Sequence, residues 1–398
     1  MKKILLLGGA VQQVVALKRA KELGYKTILC DRAKDNPARE FADLFYQESI
    51  KDKEAILEIA KKEKVDGVIS YASDVGVVTA AYVADCLALP TSPYVSVEIL
   101  SNKDLFRSFL RANGFNTPLA KGYSNIDEAL SEIGRFKLPV MVKPVDSAGS
   151  RGVSIVSNPS SLREKIEYAL TFSLKKRFII EEYVEMKGQQ ISGDAISIDG
   201  KLKALCLGRS FFNKNAKNPF VPFCDIYPYG FKDGIEDKVK SELQRLLTKL
   251  KMKSSVYNLE IRVDKNDNIY LMEVAPRNGG NYIPKVFEYA TSVPMVEIAL
   301  KLSLGEKAVL KEANPIKGFW SWFVITSSKK GILKDIIISE KVRNNIVEKH
   351  IMVKNGSLVN EVVASNSSLG ILIMKASSDE EMVELITKPE KWLKVVVE

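Results

Sequence analysis

Apolar residues recur along this chain in two rhythms. Up to about residue 90, short apolar runs alternate with stretches of helical period. Ile4–Leu7 is such a run and ends at Gly8 and Gly9. A helical pattern follows to about Leu23 and stops at Gly24. Thr27–Cys30 predicts the next strand, ending at Asp31. Ala55–Lys62 predicts a helix, Gly67–Ser70 a strand and Val75–Leu87 a helix. Buried strands alternating with helices predict a Rossmann-like parallel sheet covered on both faces.

Leu89-Pro90-Thr91-Ser92-Pro93 breaks this rhythm. A helix over about Asn102–Asn113 then leads to Gly114 and Pro118. A compact unit follows: strand Val140–Lys143, a Gly/Ser-rich loop, strand Val153–Val156, a helix from about Ser160 to Leu170, and strand Phe178–Glu181. Gly193–Ser197 and Lys203–Leu207 predict an antiparallel pair turning at Asp199-Gly200. Asn213–Gly230 is rich in Pro and aromatic residues and reads as a loop. Helix Glu236–Leu250 precedes a hairpin, Val256–Val263 with Ile269–Val274. From about Pro315 the pattern is short strands with one helix near Asp379–Ile386, which reads as a separate cap. These shifts divide the chain into 1–95, 96–305 (with a lid subdomain at about 115–185) and 306–398. The fold class is therefore mixed, α/β in the first unit and α+β beyond it, with a small β-rich C-terminal cap.

Composition narrows the function classes. The chain has 398 residues, 46% hydrophobic and 27% charged, which argues against collagen, coiled coil and bulk disorder. Lys and Arg number 59 against 49 Asp and Glu, a net charge of +10 that favours anionic ligands. The basic residues are scattered, so a Lys-rich solvated surface is expected rather than a nucleic-acid groove. Cys30, Cys86, Cys206 and Cys224 sit in or beside apolar runs and make no CxxC pair, which fits reduced thiols in a reducing compartment. His350 is the only histidine, so a His-rich zinc site is excluded. Gln12 and Gln13 interrupt the N-terminal apolar run, and Lys18, Arg19 and Lys21 follow where a cleavage site would fall. No stretch approaches ~18 uninterrupted apolar residues. A cytoplasmic protein without membrane partners is the expectation.

The hairpin carries the most chemistry. A turn centred between Asn266 and Asp267 places Glu260 opposite Glu273, with Cβ atoms about 4.5–5.5 Å apart. Facing carboxylates repel unless a cation lies between them, and Mg²⁺ (or Mn²⁺) suits carboxylate and phosphate oxygens together. Two exposed glutamates on a polar strand face is the plain alternative. Arg277 follows Glu273 by one short step at the strand end, where it can reach a phosphate on the same metal. Lys143 ends an apolar strand, and Ser147, Gly149, Ser150 and Gly152 form a small-residued loop able to offer N–H groups to phosphate oxygens. It is not a Walker A motif. Phe178-Ile179-Ile180-Glu181-Glu182-Tyr183-Val184 is uninformative alone.

Taken in order, these pieces resemble the ATP-grasp superfamily over about residues 100–285. They include Asn102-Lys103-Asp104 with its helix, the Lys143 strand, the Gly-rich lid, Glu181-Glu182-Tyr183-Val184, and Glu260 paired with Glu273 and Arg277. The resemblance implies two α+β subdomains around ATP. It implies Lys103 and Lys143 on the α/β-phosphates and Ser147–Gly152 over the β/γ-phosphates. Glu181, Glu182, Tyr183 and Val184 would line the adenine pocket, and Gln190 would take the ribose position. Glu260 and Glu273 would hold Mg²⁺, and Arg277 would stabilise the transferring phosphoryl group. Ala275 stands where the family pattern commonly has an Asn ligand, a place Asn278 is positioned to fill.

The implied activity is an ADP-forming carbon–nitrogen ligase that activates a small carboxylate and joins it to an amine, and the resemblance implies a homodimer. Purine-pathway phosphoribosyl ligases and carboxylases are alternatives within the same resemblance. A non-catalytic ATP-binding regulator is another, motivated by Ala275. An NAD-dependent oxidoreductase rests only on Gly8-Gly9 and Asp31, a dinucleotide fingerprint without its third glycine. On the substrate side, Arg209 is a candidate carboxylate clamp, Ser73 and Asp74 lie where open α/β sheets bind ligands, and Asn278 follows the phosphate residues.

Overall fold

The computed structural model describes residues 1–232, 234–308, 310, 316–362, 364 and 367–398; the expected strand onset at Pro315 lies outside them. The first unit runs β1 (Lys3–Leu7), α1 (Val14–Glu22), β2 (Lys26–Cys30), β3 (Leu44–Tyr46), α2 (Lys53–Glu63), β4 (Gly67–Ile69) and α3 (Asp74–Cys86). Its strands form one parallel sheet in the order β3-β2-β1-β4. The near-continuous apolar runs of β1 and β2 are buried on both faces, as a covered parallel sheet requires. Sequence patterning did not predict β3, whose three residues are only half-buried.

Two helices, α4 (Tyr94–Ser101) and α5 (Lys103–Ala112), lead to the lid. There β5 (Ala120–Tyr123), α6 (Ile126–Glu132), β6 (Val140–Pro144), β7 (Ser154–Val156), α7 (Leu162–Thr171) and β8 (Phe178–Glu182) build an antiparallel sheet in the order β5-β8-β6-β7. Ala129, Leu162, Ile166 and Ala169 of its helices pack on Val140, Val142, Phe178 and Ile180.

The third sheet is the largest. It takes β9 (Ile191–Ile198), β10 (Lys201–Phe212), β11 (Pro222–Tyr227), β12 (Ser255–Val263) and β13 (Ile269–Ala275), with α8 (Ile235–Lys249) between β11 and β12. After α9 (Ile283–Thr291) and α10 (Met295–Ser303) come β14 (Phe319–Ile325), β15 (Gly331–Ile338), β16 (Ile346–Ile351), β17 (Leu358–Val359), β18 (Gly370–Ala376), α11 (Asp379–Thr387) and β19 (Leu393–Val397). The order is β13-β12-β9-β10-β11-β14-β18-β16.

Two expectations are corrected here. The stretch Asn213–Gly230 is not all loop, because Pro222–Tyr227 is a strand paired with β10 and β14. Phe223, Cys224, Ile226 and Tyr227 are strand residues in mid-sheet. The C-terminal part is β-rich as expected, yet it is not a cap apart: β14, β18 and β16 continue the central sheet, while β17-β15-β19 form a small sheet beside it.

Helices cover both faces of the central sheet. Phe106, Leu110, Leu243 and Leu246 of α5 and α8 pack on Ile191, Leu207, Leu259 and Ile261. Val286, Phe287 and Ile298 of α9 and α10 pack on Cys206, Tyr227, Trp322 and Ile373 on the other face. The far side of α10 puts Val296, Leu300 and Leu304 against Ile4, Leu6 and Leu17, so one helix joins two sheets.

Candidate active site

The hairpin places Glu260 directly opposite Glu273, as expected, although by another route. Val263 pairs with Ile269, which centres the turn on Asn266 rather than after it. A register shift between Glu260 and Ile261 then absorbs one extra residue on β13 and restores the glutamate pair. Burial, then the charge of Glu273, pushes the Glu260 carboxyl up to about 7. Lys143, Arg262 and Lys103 offset that rise only in part.

Arg277 follows on a tight turn, its N–H donating to the Ala275 carbonyl at 2.8 Å. It is buried, and its guanidinium forks onto Asp74 at 2.7 and 2.9 Å. It also reaches Glu273 at 3.9 Å and donates to the Asn278 carbonyl at 2.9 Å. Burial alone would raise the Asp74 carboxyl, but Arg277 overrules it and holds the group below its ordinary value. Asp74 opens α3 just after β4. The strand end of the parallel sheet and the strand end of the hairpin therefore meet at one ion pair. Ser73 precedes it, and its carbonyl accepts from Ser70 Oγ at 2.7 Å. Asn278 is 1% exposed, and neither its Oδ1 nor its Nδ2 has a partner.

The loop after Arg277 is pinned from below. Gly279 N–H donates to Asp194 Oδ2, and Asn258 Nδ2 donates to Asp194 Oδ1, both at 2.9 Å. A Cβ on Gly279 would lie 2.7 Å from Asp194 Oδ1, so only glycine fits. Burial pushes the Asp194 carboxyl up to about 7, against those two donors. Asn281 N–H donates to Gln12 Oε1 at 2.8 Å, which ties this loop to the first unit.

The lid supplies the opposite charge. Lys143 pairs with Glu181, and Arg107 Nε donates to the same carboxylate at 2.9 Å. Burial alone would raise Glu181, but Arg107 and Lys143 bring it down to about 2. Burial lowers the Lys143 ammonium more than Glu181 restores it. Lys103 Nζ donates to the Ser147 carbonyl at 2.7 Å. Gly149, Ser150 and Gly152 adopt left-handed backbone at φ 66°, 57° and 72°. The loop is latched: Ser150 Oγ donates to the Phe220 carbonyl at 2.8 Å, and Asn218 Nδ2 donates to the Ser150 carbonyl at 3.0 Å.

Tyr183, Val184 and Gln190 converge on Arg262. Its guanidinium lies 5.1 Å from the Tyr183 ring centroid and donates to the Val184 carbonyl at 3.2 Å and to Gln190 Oε1 at 3.4 Å. Glu182 turns the other way and accepts from Lys137 N–H at 2.7 Å. Arg209 is not brought to the hairpin. It registers with Ile191, whose neighbour Ser192 registers with Glu260, so strand alternation puts Arg209 on the opposite face. There it pairs with Asp379 and donates to the Tyr229 carbonyl. The residues missed from sequence, Arg107, Asp194 and Arg262, act through partners far away along the chain. The one local signal was a charged residue alternating into an apolar strand, as at Asp194.

No group of three or more His, Cys, Asp or Glu side chains is placed to hold a metal ion among the described residues. The geometry offers two facing carboxylates with an arginine beside one of them, and Lys103 and Lys143 near enough to act on the Glu260 carboxyl.

Residues 136–285 match the model of the ATP-grasp domain. That match places an ATP-grasp domain within this chain. Among curated relatives, the carbamoyl phosphate synthase large chain of Clostridium beijerinckii is 28% identical over 318 residues, covering 75% of this chain and 27% of that protein. The chain thus spans about a quarter of the length of the curated relatives it matches. Two solved structures share the fold end to end. The L-amino acid ligase from Bacillus licheniformis has a TM-score of 0.85 at 20% identity, covering 100% of this chain and 99% of that one. Phosphoribosylglycinamide synthetase from Anaerococcus prevotii has a TM-score of 0.79 at 20% identity, covering 100% of both.

Proposed function

We propose that this protein is an ADP-forming ligase that activates a carboxylate as an acyl phosphate and passes the acyl group to an amine. The observation that carries the reading is Glu260 facing Glu273 with Arg277 beside them. Glu260 and Glu273 are hard oxygen donors, and the cations around Glu260 do not fully offset its burial and the charge of Glu273, which fits Mg²⁺ or Mn²⁺ completed by ATP phosphates. The metal would neutralise phosphate charge there. Lys103 and Lys143 sit to bind the phosphate chain, and Ser147–Gly152 to cover it. Tyr183, Val184 and Gln190 sit to hold the nucleoside.

A substrate carboxylate oxygen attacks the γ-phosphorus, and the bond to the β-phosphate oxygen breaks, releasing ADP. The amine nitrogen then attacks the acyl carbon, phosphate leaves, and the amine gives up a proton. Positioning and charge neutralisation suffice for such a transfer. Arg277, already poised between Asp74 and Glu273, is placed to hold the transferring group. The latched loop keeps water from the acyl phosphate.

No helix among the described residues is long and apolar enough to cross a membrane. Free Cys30, Cys86, Cys206 and Cys224 suit the cytoplasm, where we place the enzyme.

The test is Mg²⁺-dependent ADP release from pooled carboxylic acids with hydroxylamine, which traps an acyl phosphate as a hydroxamate. A hydroxamate from one pool, lowered about 100-fold or more in Arg277→Ala and Glu273→Ala, supports the reading. ATP binding without ADP release from any pool overturns it in favour of a nucleotide-binding regulator.

A further inference from the structure

Glu260, Ser192, Ser210, Asp225 and Trp322 lie on one face of the central sheet. Glu260 registers with Ser192, Ser210 with Asp225, and Asp225 with Trp322. Ser192 and Gly208 are partners across β9 and β10, which keeps Ser210 on the same face. At about 4.8 Å per strand, Asp225 stands about 14 Å across the strands from Glu260, and because its partner is Ser210 rather than Gly208 it also lies two residues along them toward Gln190. Side chains shorten that gap from both ends. Towards the lid the same strands carry Gln190 and Arg262, the proposed nucleoside side. On the ligase reading Glu260 marks the phosphate level, and Ser192, which registers with Glu260, donates through its hydroxyl to Asp225 and so joins that carboxylate to the same ground.

Asp225 is 1% exposed, and its two oxygens are treated unequally. Oδ2 accepts from Ser192 Oγ at 2.5 Å, Trp322 Nε1 at 3.0 Å and Tyr227 OH at 3.1 Å. Ser210 Oγ donates to Ser192 Oγ at 3.0 Å and orients that donor. Oδ1 is buried and has no partner. Burial raises the Asp225 carboxyl despite the donors on Oδ2. The chain holds this carboxylate in one orientation and leaves one of its oxygens unanswered. A buried acceptor without a partner costs stability, so its retention needs a reason. Arg209, the nearest arginine in sequence on β10, is turned to the other face and engaged by Asp379.

We infer that Asp225 Oδ1 receives a protonated amine of the substrate, so that the ligase works on ammonium-bearing molecules. This rests on the ligase reading above. Two sources share that chemistry: an ammonium on the acid that is activated, or the incoming amine before it loses its proton. Ser192, Tyr227 and Trp322 are the positioning residues that aim the free oxygen.

The experiment compares ADP release by the wild-type protein with L-amino acids and with the matching 2-hydroxy acids, each with hydroxylamine or with an added amine. The comparison is repeated on Asp225→Asn, with ATP affinity and melting temperature as controls for folding. Turnover of amino acids but not hydroxy acids, with KM for the amino acid raised about 10- to 100-fold in Asp225→Asn, assigns the oxygen to the acid's ammonium. Equal use of both acids, with that rise confined to the added amine, assigns it to the acceptor. Equal use of both acids, with every KM unchanged in Asp225→Asn, overturns the inference and leaves the ligase standing. No ADP from any acid while ATP binds removes the ligase reading and this inference with it.

Discussion

Glu260 is partly buried and faces a second carboxylate, and its carboxyl is pushed up to about 7 by burial and by Glu273. An acid whose pKa rises on folding contributes nothing adverse below its unfolded value of about 4.3. It costs stability increasingly as pH rises from there to about 7, and the cost is constant above. Glu260→Gln is therefore expected to melt higher than wild type at pH 8 in the absence of divalent ions, by about 1–2 kcal/mol. The difference should vanish at pH 4. Equal melting temperatures at both pH values would show that the pair is not strained. The same variant should lose ligase activity at every pH. Stability surrendered at a buried, facing carboxylate is the expected signature of a site organised around a ligand's charge. Glu181 is the converse case, a carboxylate settled by Arg107 and Lys143 and brought down to about 2.

Single elements decide how these side chains are aimed. The hairpin was legible because polar turn residues and two glutamates are local to one another. The bulge was not, because a two-residue period carries no mark of one extra residue. The first sheet was legible from uninterrupted apolar runs. The strand Pro222–Tyr227 was hidden because Pro222, Asp225 and Pro228 punctuate an apolar stretch that only its neighbours β10 and β14 make a strand. Arg209 illustrates a different failure: the expected strand ended at Leu207 and left Arg209 beyond it, whereas β10 runs through it to Phe212 and its face depends on the register with β9. The loop after β13 shows the finest control. Gly279→Ala drives a methyl group against Asp194 Oδ1, Asn258 Nδ2 and Ile283. It is expected to cost about 1–3 kcal/mol of stability and to lower kcat/KM at least about tenfold through displacement of Arg277. A variant with the stability loss but full kcat/KM would detach this loop from catalysis.

Across the whole molecule, three sheets meet where the chemistry is proposed. Asp74 brings the parallel sheet to Arg277, Gln12 brings its first loop to Asn281, and the lid reaches in through Lys143. The lid's glycine-rich loop is latched to residues 218 and 220, and that segment runs straight into β11 with Asp225. Ser150→Ala is expected to raise ADP formation without product by about threefold or more relative to coupled turnover, because it loosens that latch. Measuring ADP and coupled product side by side decides it; an unchanged ratio would make the latch ornamental. The shared segment has a consequence for the order of events. On the proposed reading a molecule settling on β11 would also steady the strap over the nucleotide, so an empty substrate floor would leave the door ajar and the phosphate unspent. Selectivity would then show itself as timing, with the wrong guest failing to trigger the reaction before it is ever tested for fit.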